Sequence, residues 1–302
     1  MKNTAPIYFL LCLTALFWGG NTVAGRLGSL DWQPMTLTFA RWLLASLVIL
    51  PFAWHKTRAD WPTIRTNGAL LFALGAVGLG GFNMLLYLAL TKTTAVNASI
   101  LQAYMPAFIF ILNFVVLGVR VRALQLLGLL VSMIGVLVTC TRGNPAAFFN
   151  EGFNTGDVIM LMACVVYAGY TFGLRWRPNI DWMSFMLVVF TGATIAATPF
   201  MIYELVTQPF SVPGWRGWAV LCYAVLFPTF CSQLFYAKGV AAIGGNRAGL
   251  FINLVPIFGS VLAVLILQEL FQWFHAVGLL LVVGGILVAE RSELILKTDK
   301  KN

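Results

Sequence analysis

The chain has 302 residues, of which 60% are hydrophobic and only 10% are charged, whereas about a quarter of a globular domain is charged. A soluble fold could not bury that much apolar surface, so the composition excludes one and indicates a polytopic membrane protein. The formal net charge is +9, but the basic residues lie between apolar runs and form no patch with stacking aromatics, so nucleic acid is not a predicted partner.

Ten apolar runs reach the length of about 20 residues that a helix needs to cross a bilayer. Short connections join these runs. The longest connection, 142–156, contains several turn-forming residues and separates two groups of five runs. The predicted spans are 7–25, 35–54, 68–90, 95–117, 124–141, 157–175, 182–203, 215–237, 246–268 and 273–290.

The end of the first span recurs half a chain later. Residues 17–26 align with residues 166–175 without a gap, since 167 − 18 and 175 − 26 both equal 149. Aromatic residues match aromatic ones, Thr matches Thr, and both copies end on Arg. A duplicated membrane protein is therefore predicted. Its parts are a first five-helix repeat at 7–141, a joining loop at 142–156, a second five-helix repeat at 157–290 and a cytoplasmic tail at 291–302.

The placement of Lys and Arg predicts the orientation. With the N-terminus in the cytoplasm, fourteen basic residues fall on inner segments and only Arg26, Lys92, Arg142 and Arg216 on outer ones. Both termini are therefore predicted to be cytoplasmic. Because each half has five spans, an odd number, the second half must be inverted relative to the first. The predicted fold class is an all-α membrane protein with ten transmembrane helices as two inverted five-helix repeats.

Polar and aromatic residues share helix faces at matched places in the two halves. Members of each pair are three or four residues apart, so they lie on one side of a helix, and brought together they would form an amphipathic pocket. Hydrogen bonds between helices are the structural alternative for the polar members. The predicted substrate-binding residues are Trp18, Asn21, Asn83, Tyr87, Gln102, Tyr167, Tyr170, Ser232, Tyr236 and Asn253.

Two prolines interrupt matched spans, Pro106 in the fourth and Pro256 in the ninth. Each removes a backbone donor, which predicts either a tolerated kink or a hinge for alternating access. Arg41 begins about six residues inside the second span and is expected to reach outward to the membrane surface. Glycines of the fifth and tenth spans recur at spacings that allow close helix contact and are interpreted as packing residues.

No catalytic residue, metal ligand or cofactor site is predicted. The five cysteines all lie in apolar runs and show no Cys/His ligand spacing. His55 and His275 lie outside or at the edge of spans and are far apart in sequence. An intramembrane enzyme would need an embedded nucleophile with a base, paired acids or metal ligands. A channel or sensor would be expected to carry a ring of charges or a soluble domain.

In these features the sequence resembles the EamA-type transporters of the drug/metabolite transporter (DMT) superfamily over nearly the whole chain. The residues that carry the resemblance are Trp18-Gly19-Gly20-Asn21, Phe39-Ala40-Arg41, Asn253 to Pro256, Leu267-Gln268-Glu269, and Gly278 with Gly284-Gly285. The chain departs from the pattern at Gly118-Val119-Arg120, where such proteins often have a Glu at the end of the fourth span.

The resemblance implies a secondary carrier, usually an exporter of amino acids, amines or similar small metabolites. It also implies that spans one, three, four, six, eight and nine surround a central cavity while five and ten pack together. The predicted function is therefore export of amino acids or related small metabolites by alternating access, with an intramembrane enzyme or a channel or sensor as alternatives. The expected partners are a small-molecule substrate and the lipid of the cell (inner) membrane, with the protein a monomer or a homodimer.

Glu269 is the acidic residue that the resemblance picks out at the end of the ninth span. It lies 13 residues beyond Pro256, or roughly 20 Å along a helix, which places it near the outer interface. There it is interpreted as a structural latch for the turn into the tenth span, with proton coupling as the alternative.

Overall fold

The computed structural model describes residues 4–28, 32–93, 95–119, 121–144, 146, 154–209, 211–268 and 270–299. Within these ranges every regular element is a helix. Nine helices there are long and apolar enough to cross a membrane, and a further apolar helix covers Ala5–Asn21. The predicted class, an all-α multi-pass membrane protein, is therefore confirmed.

Ten helical spans follow one another in the described part of the chain. The regular helix is interrupted within the third, fourth, eighth and ninth of them. We number them α1 to α10 in chain order. They are α1 (Ala5–Gly28), α2 (Pro34–Thr66), α3 (Gly68–Leu90), α4 (Ala95–Gln102 and Met105–Leu117), α5 (Ala123–Cys140), α6 (Thr155–Trp176), α7 (Trp182–Thr207), α8 (Trp215–Ile243), α9 (Gly245–Leu250, Phe251–Asn253 and Leu254–Leu267) and α10 (Trp273–Asp299).

The packing of these helices keeps its pattern when the two halves are exchanged. Helix α1 packs on α8 and α9, and its counterpart α6 packs on α3 and α4, which are the counterparts of α8 and α9. Helix α2 packs on α7 and α5 packs on α10, so each of these helices meets its own counterpart. Such an arrangement of two five-helix halves is an inverted repeat around a pseudo-two-fold axis.

The two chain ends lie at the same face of the bundle. The Tyr8 hydroxyl at the start of α1 donates a hydrogen bond to Glu290 near the membrane end of α10 at 2.5 Å. We call this the terminal face and the other, which carries Asp157 and Glu204, the distal face. Which compartment each face meets remains a prediction from the basic residues.

Glycines bring α5 and α10 into backbone contact. A Cβ on Gly128 would lie 2.3 Å from the carbonyl oxygen of Gly285, and one on Gly135 would lie 2.9 Å from that of Gly278. Neither distance leaves room for a side chain, so both positions require glycine for this approach. The interpretation of these glycines as packing residues is therefore confirmed.

Helices α2 and α7 are tied together at both faces through their N-termini. At the distal face the Glu204 carboxylate of α7 accepts hydrogen bonds from the Thr36 N–H at 2.7 Å and the Met35 N–H at 3.2 Å, at the start of α2. At the terminal face the Asp181 N–H, before α7, donates to Asp60 near the end of α2 at 2.9 Å. The unpaired donors of both helix starts thus find acceptors on the partner helix.

Four spans are locally irregular, again at matched places. Helices α3 and α8 each contain a π-helical segment, Leu74–Gly81 and Val225–Cys231. Helix α4 breaks after Gln102 and resumes at Met105, and α9 tightens to a 3₁₀ turn over Phe251–Asn253. Pro106 and Pro256 stand in the first turn of the segments that follow these breaks. There a missing N–H costs little, because the first turn has no intrahelical acceptor for it.

Candidate functional site

Five aromatic rings meet where helices of both halves converge. The Tyr167 ring of α6 lies 5.9 Å from Trp18 of α1, 4.9 Å from Phe82 of α3 and 5.7 Å from Tyr236 of α8, between ring centroids. Tyr170 lies 5.4 Å from Tyr167. We call these five residues the aromatic cluster. Its rings are tilted or edge-on to one another, which is the arrangement that aromatic pairs prefer.

Irregular backbone in α8 holds part of this cluster in place. The Trp18 indole N–H donates to the Pro228 carbonyl at 3.0 Å, inside the π-helical segment of α8. The Tyr236 hydroxyl, one turn later, shares a hydrogen bond of 3.0 Å with Thr171 of α6. These two bonds join α1, α6 and α8 across the centre of the protein. π-Helical turns occur often at functional sites, because they present backbone and side-chain groups that a regular helix would not.

The three tyrosines of the cluster are closed off from solvent in this structure, and Trp18 and Phe82 are half-buried. Tyr167 and Tyr170 are each 2% exposed and Tyr236 is 1% exposed. A narrow void lies beside Trp18 and Tyr236, between α1, α8 and α9, and it has no room for a water molecule. Ligand pockets usually measure about 300–1,000 Å³, so the helices around this void must separate before a solute can enter.

Buried polar atoms without partners adjoin the rings. The hydroxyls of Tyr167 and Tyr170 have no hydrogen-bond partner among the described residues, and neither does the side-chain oxygen of Gln233. Gln233 lies beside the Tyr167 hydroxyl, although the two do not form a hydrogen bond of good geometry. Most buried polar atoms in folded proteins have partners. Three such atoms on or beside the rings of one cluster therefore indicate a place for a polar ligand or for water.

Arg41 lies inside the protein and not at its surface. Its side chain is 4% exposed, and its Nε donates to the Thr229 hydroxyl in the π-helical segment of α8. Its guanidinium stands 5.5 Å from the Trp42 ring centroid. Thr229 follows Pro228, whose carbonyl accepts from Trp18 of the aromatic cluster. The prediction that Arg41 reaches outward was wrong. Helix α2 is packed on α7 and α8, and the hydroxyl offered by α8 holds the side chain inward.

Four of the predicted substrate-binding residues, Trp18, Tyr167, Tyr170 and Tyr236, come together in the cluster, and Phe82 joins them without having been predicted. Ser232 lies nearby, but its hydroxyl donates to the Phe227 carbonyl at 3.0 Å and to the Thr14 carbonyl at 3.4 Å. Ser232 is the first residue after the π-helical segment, and backbone carbonyl oxygens bind its hydroxyl.

The remaining predicted residues lie apart from the rings or have no polar partner. The Asn83 amide donates to the Leu79 carbonyl of its own helix at 3.0 Å, and the Asn253 amide donates to Ser132 of α5 at 2.8 Å. Among the described residues, no hydrogen bond and no ring contact is made by the half-buried side chains of Asn21, Tyr87 and Gln102. Their binding roles remain predictions. Glu269 and Arg120 lie outside the described residues.

A larger groove of about 560 Å³ lies elsewhere, between α4 and α5. Its lining is entirely apolar and includes Phe110, Phe114 and Leu129. Phe114 is 54% exposed on the outside of the bundle. None of the described residues that line the groove has a polar side chain to orient a solute, and the groove faces the surface where lipid lies, so it suits an acyl chain better than a transport substrate.

Comparison with known proteins places the chain among membrane transporters. The model of the EamA-like transporter family matches residues 5–141 and again residues 154–290. The chain is similar to a Bacillus subtilis protein named "Uncharacterized transporter YetK", with 25% identity over 95% of this chain and 88% of the relative. It is also similar to a "Probable terminal-alkyne amino-acid exporter" of Streptantibioticus cattleyicolor, with 25% identity over 97% of this chain and 96% of the relative.

The fold also matches a solved structure. The match to this crystal structure covers 94% of the present chain and 96% of the chain in the crystal, with a TM-score of 0.77 at 18% sequence identity. At that level of identity the likeness concerns the arrangement of the helices alone.

Proposed function

The chain belongs to the EamA-like transporter family, and from that premise we propose that it exports amino acids or related small metabolites by alternating access. The family and the names of its relatives support a membrane transporter for small molecules. The amino-acid exporter of Streptantibioticus cattleyicolor supports the solute class and the direction. The proposal includes a place in the cell (inner) membrane with both termini in the cytoplasm, as the basic residues predict.

One observation carries the proposal. The aromatic cluster, with its unpartnered hydroxyls, lies where α1 and α3 of the first half meet α6 and α8 of the second. Transporters built from inverted repeats bind their solutes at the interface of the repeats, near the middle of the bilayer. A mixed apolar and polar lining is what a small organic solute requires.

The closed site supports an alternating mechanism, in which one face opens at a time. At the terminal face an ion pair joins Arg247 of α9 to Glu290 of α10, and Tyr8 of α1 hydrogen-bonds both. At the distal face Thr93, after α3, donates to Asp157 of α6 at 2.5 Å. Opening toward either face must break the contacts of that face while the other set stays intact.

The helix pairs on the pseudo-two-fold axis are suited to remain fixed during this movement. The α5–α10 pair is locked by glycine contacts, and α2–α7 is tied at both faces. The breaks before Pro106 in α4 and before Pro256 in α9 are suited to act as hinges, since the backbone there already lacks regular helical hydrogen bonds.

Efflux from cells tests the proposal. Cells with and without the protein are loaded with a panel of labelled amino acids and toxic analogues, and efflux and growth protection are measured. We expect at least one solute to leave faster with the protein, and Trp18→Ala to lose most of that effect at unchanged membrane abundance. Trp54→Ala is the matched control, because Trp54 is 55% exposed near a membrane surface. Equal efflux of every solute with and without the protein would refute the proposal.

A further inference from the structure

Arg41 carries a charge into the interior, and no acidic side chain of the described residues balances it. Arg41 makes no ion pair within the described residues. Five acidic side chains of the described part of the chain serve other groups near the helix ends: Glu204 accepts from the start of α2, Asp60 accepts from the Asp181 N–H, Asp181 pairs with Lys56, Glu290 pairs with Arg247, and Asp157 accepts from Thr93. Charged side chains inside membrane proteins are costly and usually mark a functional site when they lack a partner.

Among the described residues, the Arg41 guanidinium forms a hydrogen bond through one of its three nitrogens. Nε donates to Thr229, and the two terminal nitrogens have no partner among the described residues. Those two nitrogens form the planar fork that binds both oxygens of one carboxylate. A lone Lys would offer only a point charge, and a structural hydrogen bond to Thr229 would not require an arginine.

Further donors lie in the aromatic cluster, next to the part of α8 that holds Arg41. Arg41 donates to Thr229, and the preceding residue, Pro228, accepts from Trp18 of the cluster. The hydroxyls of Tyr167 and Tyr170 have no partner among the described residues. A carboxylate between these groups would accept from the fork and from a tyrosine hydroxyl. The neighbouring rings of Trp18, Phe82 and Tyr236 would then cover an apolar body attached to that carboxylate.

We propose that Arg41 binds the carboxylate of the transported solute, and that the site selects carboxylates with a ring-sized apolar body over amines and neutral amides. This inference rests on the proposed function, whose site it deepens. An ammonium group on the same solute would lie over ring faces and is not required for binding. An amine without a carboxylate would meet the positive charge of Arg41 and would offer the guanidinium fork no acceptor.

Three probes with the same ring test this selection. The full-length protein in lipid nanodiscs is titrated with phenylacetate, phenylacetamide and 2-phenylethylamine, and binding is read from quenching of tryptophan fluorescence and from the unfolding temperature. Phenylacetate should bind about tenfold or more tightly than either of the others. Equal binding of phenylacetamide, or no binding of phenylacetate, would overturn the inference.

Variants separate carboxylate binding from a structural role. Arg41→Gln should weaken phenylacetate binding about tenfold or more and leave the weak binding of phenylacetamide unchanged. Arg177→Gln is the matched control, since Arg177 also stands against a tryptophan, 3.9 Å from the Trp182 ring centroid, but at the terminal face. Should Arg41→Gln fail to fold, Arg41→Lys, which keeps the charge and loses the fork, must show the same selective loss. A loss of affinity for all three probes alike would assign Arg41 a structural role instead.

The binding assay and the efflux assay can fail independently. If phenylacetate binds through Arg41 but no solute leaves cells faster, the site stands and the transport proposal falls. If a neutral solute is exported as well as its matched carboxylate, and Arg41→Gln slows both equally, transport stands and the carboxylate role falls.

Discussion

The clearest energetic prediction concerns Glu204, the acceptor at the start of α2. Its carboxylate takes hydrogen bonds from the Met35 N–H, the Thr36 N–H and the Thr36 hydroxyl at 3.2, 2.7 and 2.8 Å, and its side chain is 5% exposed. Hydrogen bonds to a charged acceptor contribute about 1.5–3 kcal/mol each and are roughly twice as strong as neutral ones. Glu204→Gln keeps the shape, removes the charge and replaces one acceptor oxygen with an NH2 group, which cannot accept from a backbone N–H. Losing one bond outright and halving the other two amounts to about 3–6 kcal/mol.

That loss converts to a measurable shift in the unfolding temperature. A chain of 302 residues has an unfolding entropy of about 0.6 kcal/mol per kelvin at the usual value per residue. Glu204→Gln should therefore lower the unfolding temperature by roughly 5–10 °C. Purified wild-type and variant protein are heated in the same detergent, and the fraction that remains monodisperse is measured by size-exclusion chromatography.

The tie at the other end of the same helix pair is the matched control. Asp181 pairs with Lys56 at 3.1 Å, but their side chains are 38% and 50% exposed, and exposed pairs contribute about 0–1 kcal/mol. Asp181→Asn also keeps an oxygen that can accept from the Met183 N–H, so its unfolding temperature should fall by less than about 2 °C. A Glu204→Gln protein that unfolds within about 1 °C of the wild type would refute the reasoning about the buried cap.

Four further predictions follow from the site and its closures. Glu290→Gln should loosen the terminal face. In a protein whose other cysteines are replaced, Cys12 should then react faster with a membrane-impermeant maleimide added to that face. An unchanged rate would contradict the role of the Glu290 contacts in closing that face. Asn21→Leu and Asn83→Leu should abolish transport at normal membrane abundance, and abundance falling in step with transport would instead favour a packing role. Reporters fused to the C-terminus and to the joining loop should be active on the cytoplasmic and outer sides respectively, and the reverse pattern would contradict the orientation. Partial burial raises the pKa of Asp181, but hydrogen bonds from the Met183 N–H and Lys56 outweigh this effect and hold the pKa below its ordinary value. The stability that Asp181 contributes should therefore be lost as the pH falls through that lowered pKa. Asp181→Asn should then shrink the difference in unfolding temperature between pH 7 and about pH 3.

The hydropathy of the sequence predicts where helices cross the membrane better than where they end. The third span was predicted at 68–90, and α3 covers Gly68–Leu90. The second was predicted to end at 54, whereas α2 continues to Thr66. The added segment contains charged residues such as Lys56 and Arg58 and lies beyond the apolar run. Hydropathy detects the edge of the bilayer, and a helix can continue past that edge into water.

The repeat predicted much of the aromatic cluster. Trp18 and Tyr167 occupy matched positions, and Tyr170 and Tyr236 lie on helix faces that the three- and four-residue spacings select. Two-fold symmetry brings matched positions together near the axis, so these rings could be expected to meet. Phe82 was missed because its neighbours Leu85 and Leu86 are equally apolar, and nothing in the sequence distinguishes the ring that turns inward.

The π-helical segments could not be predicted, because the two copies share no sequence pattern. Leu74–Gly81 is rich in glycine, whereas Val225–Cys231 is rich in bulky residues and contains Pro228. The place of Arg41 depends on one of these segments, since Thr229 offers its hydroxyl from within it. An arginine near a span end has two solutions, outward to the membrane surface or inward to a partner. The choice here depends on a tertiary contact that one helix alone does not contain.

The asymmetry of the site is as informative as the symmetry of the scaffold. The counterpart of Arg41 is Phe190, since 41 + 149 = 190, and Phe190 is fully buried with its ring 5.3 Å from Trp42. One half therefore contributes a charge where the other contributes an apolar ring, on helices that pack against each other. A symmetric scaffold allows either face to open by the same kind of movement. Under the proposed mechanism, a solute with one charged end and one apolar end needs an asymmetric lining. The pair Arg41 and Phe190 supplies that asymmetry while the contact between α2 and α7 is kept.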